Sequence, residues 1–378
     1  MPLARASLEV EHVKVPPEIA SLMPYQPGKP ISETKRELGL THVYKLASNE
    51  SPLGPPRLAI EAIQRAIPEL HRYPDGACFE MRHALAKYFQ VPADWLIFGN
   101  GSDELVDMLV QIYCRVGEGV LTSQGAFSAY GISAKSVLAK VIHAPLGPDY
   151  RFDLHAMGEV LKRDDSIRLV FLPNPNNPTG TYFTAKEFDA FMEIAGKKDI
   201  YVVLDEAYSE FVRAKDYPWG HDYQKKFKNI LLLRTMSKVF GLAGLRAGVL
   251  IAPPDVVEVV NRIRKPFNIN SLAQVACAAA VEDTEYLAKL RQLTWDGLDY
   301  YYAELTKMGL PFAPSQGNFV FFDTMTDAGK VFNGLLREGV ILRPVKGYGF
   351  PQHLRMSVGL AEENEAAVRA LRKVLAKK

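Results

Sequence analysis

Cysteine is scarce in this chain: three among 378 residues, Cys78, Cys114 and Cys277. An odd, widely spaced set without CxxC excludes a disulfide framework and a zinc ribbon, and it fits a reducing compartment with free thiols. The eight histidines show no HExxH or other metal spacing, so no metal is expected. A charge of one sign is also missing. Lys+Arg total 45 and Asp+Glu 43, with no basic stripe, which argues against nucleic acid as a partner. No stretch reaches the ~18 unbroken apolar residues of a membrane span, and no signal-like apolar segment opens the chain. Tandem repeats and low-complexity linkers are absent. Neither GxGxxG nor GxxxxGK(S/T) occurs, so no dinucleotide or P-loop site is claimed. These absences leave the expectation of a soluble cytoplasmic protein.

What is present is ordinary globular composition, 48% hydrophobic and 23% charged, in a chain long enough for one large and one smaller domain. The first 45 or so residues are rich in proline and read as an extended arm with a short helix. From about residue 49 to 266, short apolar runs alternate with amphipathic segments. Strands are expected at 96–99, 119–122, 140–143, 167–172, 200–204, 230–233 and 247–251, with a helix at 102–114. That alternation predicts an α/β fold: a mainly parallel mixed sheet covered by helices on both faces. Residues 267–308 read as helical. Strands at 318–322, 340–342 and 353–358 and a last helix over 362–378 complete a smaller α+β unit. The expected division is 1–48 (arm and part of the small domain), 49–266 (large domain) and 267–378 (small domain).

Ligands of open α/β sheets sit beyond the carboxyl ends of the strands, and four motifs fall there. Lys238 follows a buried-strand pattern, with Ser237 before it and Arg246 eight residues later. An amine on a small-residue loop beside an arginine suits a Schiff base with an aldehyde cofactor that carries a phosphate. Gly99-Asn-Gly-Ser-Asp-Glu104 runs straight into a helix, whose first N–H groups can meet an anion; Ser102 is expected to cap that helix, and an ordinary cap explains the motif equally well. Asp205 ends an apolar strand, where a carboxylate is costly unless a cation meets it. A protonated pyridine nitrogen is such a cation, with Tyr208 donating to the ring hydroxyl; an aspartate capping the next helix is the plainer reading. Asn177 sits in the turn Asn174-Pro-Asn-Asn-Pro-Thr-Gly180. Arg343 and Arg355, near late strands, have the forked donors that carboxylates and phosphates take.

Together with Leu46-Ala-Ser-Asn-Glu-Ser-Pro-Leu-Gly54, Arg72-Tyr-Pro-Asp-Gly76 and Leu354-Arg-Met-Ser-Val-Gly359, these motifs resemble, in order and spacing, the fold-type-I pyridoxal-phosphate aminotransferases of the histidinol-phosphate aminotransferase group. The resemblance covers nearly the whole chain and implies an aspartate-aminotransferase-like fold. By position it implies that Lys238 holds pyridoxal 5'-phosphate and moves the proton at the substrate Cα. It gives Asp205 the ring nitrogen, Asn177 and Tyr208 the ring oxygen, and Phe127 the ring face. Gly101, Ser102, Asp103, Ser237 and Arg246 would cup the phosphate. Tyr73 would reach the cofactor of a second subunit in a homodimer with shared active sites. Arg343 and Arg355 would take the substrate's anionic group, with Tyr25 and Asn49 near its side chain. One segment departs from the family: before the stacking aromatic the usual Pro-Thr is replaced by Gln124-Gly-Ala-Phe127, which predicts a looser loop.

The implied reaction moves an amino group between histidinol phosphate and 2-oxoglutarate, giving imidazole-acetol phosphate and glutamate. Its partners are small amino and keto acids. An aromatic amino-acid aminotransferase of the same family is the alternative. A catalytically silent binding protein on this fold is a third reading, opposed by the filled catalytic positions.

Overall fold

In the computed structural model, which describes residues 14–20, 22 and 28–376, β-branched and leucine-rich runs become strands and the amphipathic segments between them cover the sheet. A two-residue strand, β1 (Tyr44–Lys45), comes first. β2 (Leu96–Gly99), β3 (Gly119–Ser123), β4 (Lys140–Ala144), β5 (Ile167–Pro173), β6 (Tyr201–Asp205), β7 (Ile230–Thr235) and β8 (Gly248–Ile251) form a seven-stranded sheet in the order β2-β8-β7-β6-β5-β3-β4. β8 alone runs against the other six strands, so the mixed, mainly parallel sheet read from the sequence is what forms. The central strands are buried on both faces. Val202, Leu204, Ile230 and Leu232 enter one core, and Val203, Leu231 and Leu233 the other. Each such side chain contributes about 1.5–3 kcal/mol relative to exposure.

Five further strands follow: β9 (Phe312–Ala313), β10 (Phe319–Asp323), β11 (Val340–Ile341), β12 (Arg343–Pro344) and β13 (His353–Ser357). Antiparallel pairing in the order β12-β13-β10-β9 makes a four-stranded sheet, and β11 pairs in parallel with β1. The N-terminal segment after the arm is thus stitched to the C-terminal unit.

The helical stretch expected over 267–308 is two helices, Ser271–Ala280 and Thr284–Lys307. Asp283 interrupts it: its carboxylate accepts from the Tyr286 N–H and starts the second helix. The first helix packs in the large core through Ala273, Ala276 and Cys277. The second crosses from that core (Leu287, Leu290) into the C-terminal core (Leu298, Tyr301, Leu305), and so couples the two. The last helix runs over Ala361–Leu375.

Candidate active site

The carboxyl ends of β2, β3, β5, β6 and β7 share one edge of the large sheet, and a cavity of about 490 Å³ opens there. Asp205, the last residue of β6, sits in its wall, 7% exposed. Its Oδ2 accepts from the Tyr130 hydroxyl at 2.7 Å and its Oδ1 from the Ala207 N–H at 3.2 Å. Both bonds favour the carboxylate, yet burial, with Asp103 and Glu206 nearby, pushes its pKa up to about 6. The acid is therefore under-compensated and suited to a cationic partner. The Ala207 bond closes a local turn; the short helix that follows begins at Ser209 with Tyr208 at its cap position, so Asp205 is not a helix cap.

Opposite chemistry lines another part of the wall. The helix Ser102–Tyr113 begins there. Its cap position is taken by Gly101 rather than Ser102, which is the first helical residue; no side chain caps it. The reason is conformational: Gly101 has φ +84° and ψ 163°, and a Cβ on it would collide with the Arg246 guanidinium. Gly248 likewise lets β8 approach the Gly101–Ser102 backbone. Ser102, Ser237 and Arg246 thus converge with free helix N–H groups, an arrangement suited to a phosphate. Asp103 is also in the wall, but its carboxylate pairs with Arg246 Nη2 at 3.1 Å. Towards an anion it offers only its backbone N–H.

Between these poles stands Lys238. Its Nζ reaches the Ser48 carbonyl at 3.4 Å and lies 5.6 Å from the centre of the Tyr208 ring. Tyr208 is buried, and its hydroxyl accepts from Asn49 Nδ2 at 2.9 Å, leaving its own proton to donate. Burial raises the Tyr208 pKa, while Arg355 and Asn49 oppose the rise. Asn49 is locked in turn: it has φ +54°, its N–H donates to Ser357 Oγ, that hydroxyl donates to Asn49 Oδ1, and Asn318 Nδ2 donates to its carbonyl.

Arg343 and Arg355 are direct partners across β12 and β13, and both face the cavity. Arg355 is buried; one nitrogen donates to Asn177 Oδ1 and another to the Ala47 carbonyl at 2.6 Å. Phe127 lies in the wall and meets Tyr130 edge-on at 5.8 Å.

Two expected residues stand apart. Tyr73 is 83% exposed and stacks on Phe267 at 4.8 Å, outside the cavity of its own chain. Tyr25 lies outside the described residues. The residue that sequence reasoning missed is Tyr130. It is fully buried, stacked on Phe171 at 4.6 Å, and holds Asp205 from across the sheet. Its position three residues after Phe127 was the available signal. Among the described residues no helix is long and apolar enough to cross a membrane and no group of side chains is placed to hold a metal.

The cavity therefore fits a flat, cationic heteroaromatic ring with a phosphate at one end and a reactive carbon near an amine. Comparison with known proteins agrees with that geometry. The family profile "Aminotransferase class I and II" matches residues 41–371. The chain is 53% identical over 366 residues to a histidinol-phosphate aminotransferase of Bdellovibrio bacteriovorus, covering 96% of this chain and 98% of that protein. It is 47% identical to one from Anaeromyxobacter sp., covering 96% and 99%. Among solved structures, the histidinol-phosphate aminotransferase of Sinorhizobium meliloti in complex with pyridoxal-5'-phosphate superposes with a TM-score of 0.87 at 26% identity, covering 96% and 98%.

Proposed function

The chain belongs to the class I and II aminotransferases, and from that membership we propose a pyridoxal-phosphate-dependent transaminase of fold type I. It interconverts histidinol phosphate plus 2-oxoglutarate with imidazole-acetol phosphate plus glutamate, a step of histidine biosynthesis. The observation that carries the chemistry is Asp205: a buried acid with its pKa raised to about 6, facing the same cavity as Lys238 and an anion-ready helix start. The substrate rests on the two relatives of 53% and 47% identity, both histidinol-phosphate aminotransferases.

When bound, pyridoxal phosphate supplies an aldehyde carbon and a ring that accepts the electron pair left at a deprotonated Cα. The residues of the chain do the rest. Lys238 would hold the cofactor through its ε-amino group and would take and return the proton at the substrate Cα. Asp205 keeps a proton on the ring nitrogen. Tyr208 donates to the ring oxygen with Asn177 beside it, and Phe127 covers the ring face. Gly101, Ser102, Asp103, Ser237 and Arg246 hold the phosphate. Arg355 and Arg343 take the carboxylate of glutamate and the phosphate of histidinol phosphate in turn, since a guanidinium fork suits either group. Asn49 and Tyr25 border the substrate side chain.

We assign residues 49–266 to a large cofactor-binding domain, 267–378 to the small domain, and 1–48 to an arm completed by part of the small domain. The enzyme works as a cytoplasmic homodimer in which Tyr73 reaches the partner's phosphate site. Support comes from its exposed ring stacked on exposed Phe267, and from three buried, unpaired cysteines. Steady-state rates with histidinol phosphate, phenylalanine and tyrosine, each with 2-oxoglutarate, test the substrate. Histidinol phosphate is expected to give the highest kcat/KM, and a large margin for phenylalanine would move the assignment to the aromatic aminotransferases.

A further inference from the structure

The segment Gln124-Gly-Ala-Phe127 lacks the proline that would stiffen it from within, yet it is held from outside at three points. The Gln124 N–H bonds to the Ala144 carbonyl at 2.9 Å. Asn176, buried in the turn before Asn177, donates from Nδ2 to the Gly125 carbonyl at 3.2 Å. The third contact comes from the C-terminal unit. Gly125 has φ +67°, and a Cβ there would lie 2.9 Å from two ring atoms of Phe350. Only glycine combines that backbone with so close an approach.

Phe350 is itself fixed. Its ring meets Phe321 at 5.1 Å, His353 at 5.6 Å and Tyr150 at 5.7 Å, all edge-on or tilted. It leads into β13, which carries Arg355. A ring anchored on Phe321, His353 and Tyr150, in the segment that leads into the strand of Arg355, thus packs on the loop two residues before Phe127.

We infer that Phe350 is a positioning residue for Phe127: by packing on Gly125 it supplies the rigidity that the missing proline would give, and it sets the angle at which Phe127 meets the cofactor ring. The inference rests on the assignment of Phe127 as the residue that covers that ring.

The test compares holoenzyme of the wild type, Phe350→Ala, Phe350→Leu and Phe332→Ala. Phe332 is a half-buried ring of the same C-terminal unit that packs away from this loop. Two quantities are read: the circular dichroism induced in the bound cofactor, which senses ring orientation, and kcat against KM for glutamate. Phe350→Ala is expected to weaken the induced band and lower kcat by about tenfold, within the hundredfold that a 1 Å misplacement can cost, with KM changing far less. Phe350→Leu should recover part of both, and it carries the test if the alanine variant does not fold. Phe332→Ala should leave band and kcat near wild type. An unchanged band in the Phe350 variants overturns the inference, as does an equal loss in Phe332→Ala. A wild-type protein that shows no band with added pyridoxal phosphate instead refutes the cofactor reading, and the inference falls with it.

Discussion

Replacing Asp205 with asparagine should separate stability from function, with a sign set by the structure. The acid's pKa rises from 3.8 to about 6 on folding. Between those values the folded protein binds more protons than the unfolded chain, so stability is fully present below about pH 4 and is lost as pH rises through 6. The shift of roughly two units corresponds to about 3 kcal/mol at this fully buried site. Asparagine does not titrate, so its variant lacks that loss. It also has one carbonyl oxygen where the carboxylate used two, for Tyr130 and Ala207. That mismatch costs about 1 kcal/mol but does not change with pH. The informative quantity is therefore the difference between variant and wild type. In the cofactor-free protein, urea unfolding at pH 4, 5, 6 and 7.5 should show the difference moving in favour of Asp205→Asn by about 2.5 kcal/mol across the series. With cofactor the order should reverse, because pairing of opposite charges at this depth is worth on the order of 4 kcal/mol. A difference that stays flat from pH 4 to 7.5 would refute the reasoning that the buried carboxylate is under-compensated.

Lys238→Ala should remove the absorbance of the lysine-bound cofactor and lower kcat by at least about 10²–10⁴, the usual share of a general base; an unchanged cofactor spectrum would rule Lys238 out. Tyr130→Phe deletes the bond that holds the Asp205 pKa down. The acid in the cofactor-free protein should then titrate about one to two pH units higher, as followed by carboxyl NMR or by the pH dependence of cofactor binding. Arg355→Lys keeps the charge but loses the fork that reaches Asn177 and Ala47. We expect kcat/KM for glutamate to fall by about ten- to a hundredfold, consistent with the ~1.5–3 kcal/mol of a hydrogen bond to a charged group, with little change in the resting cofactor spectrum.

Much of the fold was legible because its signals are local. Strands β5, β6 and β7 carry apolar runs at 169–172, 202–204 and 230–233, and residues that do not belong in a core follow two of them: Asp205 after Val-Val-Leu, and Thr235 before Ser237-Lys238. The two-residue strands β1, β9 and β12 carry no period to read, and they form because partners in the tertiary structure complete them. Asp283 was readable as a helix cap, but the apolar spacing runs on through it and hid the break. Gly101, by contrast, was read only as a small residue that lets the backbone approach an anion. Its cap position goes with the closeness of Arg246, which no local pattern encodes.

Residue identity at strand ends came from the sequence alone: an amine, an acid, a small-residue helix start and two arginines, in an order that carries the family. Which of these groups touch was decided by the order of strands. Tyr130 reaches Asp205 from 75 residues away, Asn49 reaches Tyr208 from 159, and Arg355 reaches Asn177 from 178. Hydrophobic period and cap chemistry act over a few residues and so can be read along the chain. Charge compensation, hydrogen-bond partners and ring contacts act over a few ångströms of space, and those distances exist only once the sheet has been assembled.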